Sequence, residues 1–407
     1  MSANTSSKVV SSKRDVYLAY FKRTAFSKSK PEDPEKDVFN SIRMDEALSR
    51  IIKQCLTDTG VKPRDVNDLI VGCALQFDEN WTMGGRHPAL LAHLPEVPSV
   101  AMDRQCGSSL NAIGVGAMEI MTGNSDIVIA GGFEHLTHVP MTNNPNLKPN
   151  MALLLRPEYA KYDMNTAYRM GLTAEKLARL RGIQRDEMDQ YSCESQKLAS
   201  KAQEEGYFAD EIMPLEVEKA GETVRVDRDQ SVRGDTTLEQ MRKLPPAFNR
   251  DGRITAGNSC PINAGASLVM LASEEKLAEY GLTPLTRILS IGWGAVDPSI
   301  MGEGVVPATR KALSNAGLKP EDIDLWEINE AFAVVVLNAL RQLGGIRREN
   351  VNVKGGAIAI GHPHGASGAR LAGTLSRILN EKRKERGVAT LCTAGGQGYS
   401  LVLERAS

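Results

Sequence analysis

The chain has 407 residues, 42% of them hydrophobic and 24% charged, with a formal net charge of −1, which is enough apolar material for one large core or two. The near-neutral balance excludes bulk nucleic-acid binding, so any basic site has to be local. No apolar run approaches the ~20 residues of a membrane-spanning helix, and six scattered cysteines (Cys55, Cys73, Cys106, Cys193, Cys260, Cys392) without a CxxC pair suit a reducing, cytoplasmic setting better than a disulfide framework or zinc ribbon.

Taken in chain order, residues 1–13 are polar, Ser-rich and lack the apolar core of a secretory signal, so they read as a flexible tail. Val16 to Tyr20 reads as a first strand. A helix is expected over Met44 to Thr59, with Gly60 suited to end it. Val97 to Met102 reads as a short buried strand leading into Asp103-Arg104-Gln105-Cys106-Gly107-Ser108-Ser109. Beyond it Leu110, Ile113, Ala117, Ile120 and Met121 recur at helical spacing with only Glu119 charged. Cys106 therefore falls at or near a helix N-terminus, where the free N–H groups and the macrodipole favour an anion. Its thiolate fraction is expected to exceed the few per cent set by an ordinary pKa of about 8.5. For Cys106 taken alone, a small buried core residue is the competing reading.

From about 141 to 253 the pattern changes. Helical segments at Leu172 to Leu180 and Arg185 to Gln203 are mixed with a charged loop, Glu222 to Arg233, as in an insertion that shapes a binding site; an ordinary solvated face explains the basic residues equally well.

A duplication accounts for the rest. Gly60-Val61-Lys62-Pro63-Arg64-Asp65-Val66-Asn67-Asp68-Leu69-Ile70 resembles Gly317-Leu318-Lys319-Pro320-Glu321-Asp322-Ile323-Asp324-Leu325-Trp326-Glu327-Ile328, the second copy following a helix over Pro307 to Ala316. Alternating strands and helices imply right-handed βαβ units and a mostly parallel sheet in each half. Cys106 lies 46 residues after Gly60 and His362 lies 45 after Gly317. Two halves packed about a pseudo-dyad would bring these reactive residues together.

Four motifs then stand in register: Cys106-Gly107-Ser108-Ser109; Asn329-Glu330-Ala331-Phe332-Ala333; Gly355 to Pro363 with Gly365-Ala366-Ser367-Gly368; and Cys392-Thr393-Ala394-Gly395-Gly396-Gln397-Gly398. In order and spacing they resemble the thiolase family over nearly the whole chain. The resemblance implies an α/β fold of duplicated βαβ halves in five αβαβα layers, with halves at 14–275 and 283–407 and a loop domain inserted at about 141–253. It implies acyl-CoA and coenzyme A as substrates, no permanently bound cofactor, no metal, no membrane or nucleic-acid partner, and a homodimer or homotetramer. The reaction implied is reversible condensation and thiolysis of 3-ketoacyl-CoA.

Carried over, Cys106 resembles the acylated nucleophile, His362 the base that takes its proton, and Cys392 a second acid/base. Asn329, through a water, and His362 resemble one oxyanion hole; the backbone N–H groups of Cys106 and Ala394 resemble the other, each such donor contributing about 3 kcal/mol. Ala394 replaces a common glycine and should serve if its φ is negative. Coenzyme A contacts implied by the resemblance are Arg169, Arg233, Leu244, Ala247, Phe248 and Ala256. Met170, Met301 and Phe332 match positions that line the acyl pocket, for which core packing is the competing account. Cys260 stands where a serine is usual, Ala264 where an aspartate is common, Lys354 before the glycine pair, and His364 in place of an apolar residue.

Two other readings are set against this one. A non-catalytic acyl-CoA-binding or lipid-transfer protein on the same fold would be expected to lose a thiol, whereas a decarboxylating ketosynthase has no use for Cys392. A metal site built on His135 and His138 lacks the carboxylate base of the His-Glu-x-x-His pattern.

Overall fold

Gly60 and Gly317 end their helices in the left-handed conformation, at φ +67° and +68°. They are the matching points of the duplication, and each takes this φ because it lacks a Cβ. The computed structural model describes residues 14–406, so the tail expected at 1–13 lies outside the described residues. In the first half, β1 (Val16–Arg23) precedes α1 (Met44–Thr59), β2 (Asp68–Gly72), β3 (Ser99–Met102), α2 (Ser108–Met121) and β4 (Ile127–His135). The insertion carries α3 (Met170–Leu180), α4 (Arg185–Glu204), β5 (Leu215–Lys219) and β6 (Glu222–Val226), and β7 (Ala264–Ser273) closes the half. The second half runs through β8 (Thr286–Ala295), α5 (Val305–Ala316), β9 (Leu325–Ile328), α6 (Ala333–Leu343), α7 (His364–Glu381), β10 (Arg386–Thr393) and β11 (Gln397–Arg405).

Nine strands form one sheet in the order β3-β2-β4-β7-β1-β8-β11-β10-β9. Its two halves meet where β1 and β8 pair over only Tyr17–Arg287 and Leu18–Thr286. Parallel pairing is confined to β3-β2-β4 and β10-β9; the other neighbours run antiparallel. This corrects the expectation of a mostly parallel sheet. The insertion delivers β7 to the sheet from the opposite end, and β11 returns from β10 by a tight hairpin instead of a crossover.

The layers follow from period-two alternation in strands buried on both faces. Ile127 and Ile129 pack with Leu48, Ile51 and Ile52 of α1, while Val128 and Ala130 pack with Leu110, Ile113 and Ala117 of α2 and with Leu371 and Leu375 of α7. Across the other half, Ala389, Leu391, Leu401 and Leu403 face this same pair of helices, whereas Val388 and Val402 face α5 and α6. The result is αβαβα, with α2 and α7 enclosed in the middle. Enclosure by sheet on both sides is why α2 carries a single charge, Glu119. The two central helices approach closely because Gly368 is bare: a Cβ there would stand 2.2 Å from Leu110 N. Ser109 Oγ accepts from Ala369 N at 3.0 Å across this contact.

The stretch read as a charged loop is partly sheet. Leu215 and Val217 point inward between exposed Glu216 and Glu218, and β5 pairs with β6 over Glu222–Val226. Asp229, beyond it, is buried and accepts two bonds from Arg23 at 2.8 and 2.9 Å, with Glu211 on the same guanidinium at 3.1 Å. It pins the insertion to β1 and is not part of a solvated face.

Candidate active site

Cys106 sits in a strained turn ahead of α2. Gln105 takes φ +48°, and its N–H donates to Asp103 Oδ1 at 2.6 Å. Ser108 Oγ accepts from Arg104 N at 3.0 Å and donates to Gln105 O at 2.6 Å. A Cβ on Gly107 would stand 2.7 Å from Thr393 Cγ2, so the missing side chain lets the β10–β11 hairpin close over the thiol. There the backbone N–H groups of Ala394 and of Cys106 itself favour the Cys106 thiolate. Ala394 keeps a negative φ.

The expected helix-activated thiolate is corrected here. Burial, and after it the charge of Glu134, push the Cys106 thiol up to about 12. The helix begins only at Ser108, beyond an N-cap at Gly107. Desolvation under the hairpin outweighs the two N–H donors, so the resting group is a neutral thiol that needs a base.

That base is close. One ligand atom each of Cys106, His362 and His364 lie within 4.8 Å of one another, so the two halves do bring the paired positions together. Ser367 Oγ donates to Pro363 O at 2.9 Å and therefore accepts from His362 Nδ1–H at 2.6 Å. This leaves Nε2 with its lone pair, facing the Asn329 amide nitrogen at 3.2 Å. Burial first, then His364 and Arg370, hold the imidazole well below its usual pKa, so it is neutral. Asn329 Oδ1 is buried without a partner among the described residues, an acceptor available to a water or a substrate hydrogen.

Four polar residues hold this arrangement, two of them (Asn263 and Glu134) missed in the sequence and two (Glu330 and Ser367) seen there only as members of motifs, without a role. Asn263 Oδ1 accepts from His362 N at 2.7 Å. Glu134, the one carboxylate in β4, accepts from Ala74 N at 2.9 Å, Leu75 N at 3.2 Å, Asn80 Nδ2 at 2.9 Å and Gly365 N at 3.0 Å. Glu330 accepts from Tyr191 at 2.7 Å, Ser195 at 2.8 Å and Ile358 N at 3.0 Å, and Ser367 orients His362. A lone carboxylate in a strand of Gly, Phe and Ile was the available signal for Glu134.

Cys392 stands near the end of β10, opposite Gly398 in the hairpin. Burial, then Cys106 and Cys260, raise its thiol, and burial raises Cys260 likewise. Of the residues expected at coenzyme A, Arg233, Leu244 and Ala256 line one cleft of about 260 Å³ with Gln196, Thr236 and Met241. Phe248 stacks edge-on against Phe332, centroids 6.1 Å apart. Met170, Met301 and Phe332 share an apolar cluster with Cys392. Ala247 is exposed in the strand-like contact Ala247 N–Ile254 O, Arg169 is the exposed N-cap of α3, and Cys260 N donates to Ala331 O at 3.1 Å; none of these three lines the cleft. Lys354 pairs with Glu381 at 2.9 Å over the Tyr207 ring, and Ala264 is a buried start of β7. The His135 and His138 rings stack at 3.6 Å with their nitrogens bonded to Phe39 O, Glu79, Asn40 and His138 N, a packed pair with no nitrogen free for an ion.

Residues 16–275 match the family model "Thiolase, N-terminal domain" and residues 282–405 match "Thiolase, C-terminal domain". The chain is 41% identical to a 3-ketoacyl-CoA thiolase of Marinobacter nauticus over 96% of its own length and 98% of that protein, and 40% identical to one of Saccharophagus degradans with the same coverage. Among solved structures it is similar to human mitochondrial 3-ketoacyl-CoA thiolase, with TM-score 0.86, 34% identity, and 97% and 99% of the two chains covered. Similarity to the acetyl-CoA acetyltransferase of Bacillus anthracis is comparable, with TM-score 0.86, 33% identity, and 97% and 100% covered.

Proposed function

The chain belongs to the thiolase family, and from that premise we propose that it cleaves 3-ketoacyl-CoA by thiolysis through an acyl group carried on Cys106. It is an acyltransferase. The observation that carries the site assignment is the approach of Cys106 and His362, from opposite halves, to within 4.8 Å.

In this reading Cys106 Sγ attacks the 3-keto carbon as its proton passes to His362 Nε2. The carbonyl oxygen gains charge facing the backbone N–H groups of Cys106 and Ala394. Collapse of the adduct breaks the bond between carbons 2 and 3, and Cys392 protonates the departing acetyl-CoA enolate, whose oxygen faces His362 and a water held by Asn329. Coenzyme A then gives its thiol proton to Cys392 and attacks the acyl-Cys106 thioester. Cys106 leaves and recovers its proton from His362. The same groups serve the condensing direction in reverse. Relatives named 3-ketoacyl-CoA thiolase at 40–41% identity favour thiolysis.

Arg233, Leu244 and Ala256 are assigned to the nucleotide and pantetheine, with Arg169, Ala247, Phe248 and Cys260 at its margin and Met170, Met301 and Phe332 along the acyl group. Coenzyme A is the only cosubstrate in this scheme. The reading divides the chain at 14–275 and 283–407. A homo-oligomer is proposed because β3 is a sheet edge that carries exposed Val100, a surface that a second copy would cover. A cytoplasmic location is proposed from six unpaired cysteines; among the described residues no helix is long and apolar enough to cross a membrane. The test is coenzyme A-dependent consumption of short, medium and long 3-ketoacyl-CoA. Acetyl-CoA release with at least one chain length supports the reading, and none with folded protein ends it.

A further inference from the structure

His364 has no task in the acyl transfer, yet it shares the site. Its ring meets His362 edge-on at 4.9 Å, it is half-buried, and its nitrogens find no hydrogen-bond partner among the described residues, although His362 N and Nδ1 and Gly365 N are each bonded. A sulfur and two imidazole nitrogens within 4.8 Å of one another form the donor set of a thiophilic divalent cation, three protein ligands with a fourth position open. Carboxylates are absent from this set, which makes magnesium or calcium a poor match.

We propose that Cys106, His362 and His364 bind a zinc ion, and that zinc at this site closes the enzyme by occupying nucleophile and base together. The fit is close. Zn–S of ~2.3 Å and Zn–N of ~2.0–2.1 Å put tetrahedral ligand atoms about 3.3–3.6 Å apart, so the set, within 4.8 Å now, has to contract by roughly 1.5 Å at most. His364 is the member free to turn, because His362 is held at Nδ1 by Ser367 and at its backbone N by Asn263. Ser367 also fixes the tautomer that leaves the Nε2 lone pair unprotonated, as a ligating histidine needs, and the metal would displace only the Asn329 amide at 3.2 Å. A water in the fourth position has an acceptor in the unpartnered Asn329 Oδ1. Binding replaces the S–H bond of Cys106 with a Zn–S bond and releases one proton to solvent. Closure of the enzyme rests on the function proposed above; the metal site itself does not.

The full-length chain, stripped of metal by chelator and dialysed, is titrated with Zn2+ against a chromophoric chelator, and separately with Co2+ to read a thiolate-to-metal charge-transfer band. One metal per chain and a band that disappears in Cys106→Ser are expected. His364→Leu is expected to keep metal-free acyl transfer while weakening the metal by at least about 10- to 100-fold. On the unaltered protein, zinc should slow iodoacetamide alkylation of Cys106, with recovery on adding EDTA. Equal zinc affinity in His364→Leu, no stoichiometric binding, or alkylation indifferent to saturating zinc would each overturn the site. Because these readouts use no substrate, loss of the proposed thiolysis would leave them standing.

Discussion

His362 Nδ1 lies 2.6 Å from Ser367 Oγ, five residues on and one turn into α7, and that hydroxyl donates its own hydrogen to Pro363 O at 2.9 Å. The chain of two bonds allows one tautomer only. Ser367→Ala removes the acceptor, frees the ring to turn, and should lower kcat by about 10- to 100-fold, part of the 10²–10⁴ that a positioned base supplies. KM should move little, since Ser367 touches no substrate. An unchanged kcat would show that Asn329 and packing alone orient the ring.

The proposed function gives the two thiols separable tasks. With 3-ketoacyl-CoA or acetyl-CoA, mass spectrometry should find the acyl group on Cys106, and Cys392→Ala should still carry that adduct while losing turnover by about 10²-fold or more, the scale of a general acid/base. An unlabelled Cys392→Ala would mean the roles are reversed.

The resting state of Cys106 is open to a simple measurement. With its thiol pushed up to about 12, alkylation by iodoacetamide should rise close to tenfold per pH unit from about pH 7 to about pH 10, because the thiolate is the reactive form. A plateau near neutrality would signal a preformed thiolate.

Glu134 offers a stability test tied to the same thiol. Burial raises its carboxyl from 4.5 to about 7, so the folded state holds a proton that the unfolded chain has lost. Its contribution is full below about 4.5 and declines as pH rises through about 7. Glu134→Gln should remove that slope and, by turning an NH2 toward backbone donors, cost about 1–3 kcal/mol in urea unfolding. Above about pH 7, where the carboxylate opposes the thiolate, Cys106 in the variant should be alkylated faster than in the parent.

The features that are local were legible in the sequence. Gly60 and Gly317 and the helix over Met44–Thr59 depend on residues a few places apart, and the structure places them where residue type and spacing put them. Strand direction was not legible, because strands buried on both faces show the same apolar run whichever way they lie. Nor was the state of Cys106. Its helix terminus could be read nearby, but the hairpin that dehydrates it and the carboxylate that opposes it come from β10–β11 and β4. Asp229 was invisible for the same reason: its partner Arg23 is at the other end of the half.

The sheet changes halves across just two residue pairs, Tyr17–Arg287 and Leu18–Thr286. The proposed nucleophile and base stand on opposite sides of that seam, so the sheet alone does not hold their spacing. The burden is shared by α7 lying along α2, by bare Gly368, by the bond from Ala369 N to Ser109, and by the bonds of His362 N to Asn263 and Gly365 N to Glu134. Acyl transfer is therefore a property of the junction and of neither half. A substitution that eases these helices apart by a fraction of an ångström would silence a protein that still melts and sediments as the intact one does, and either half produced alone would hold one member of a pair that only works together.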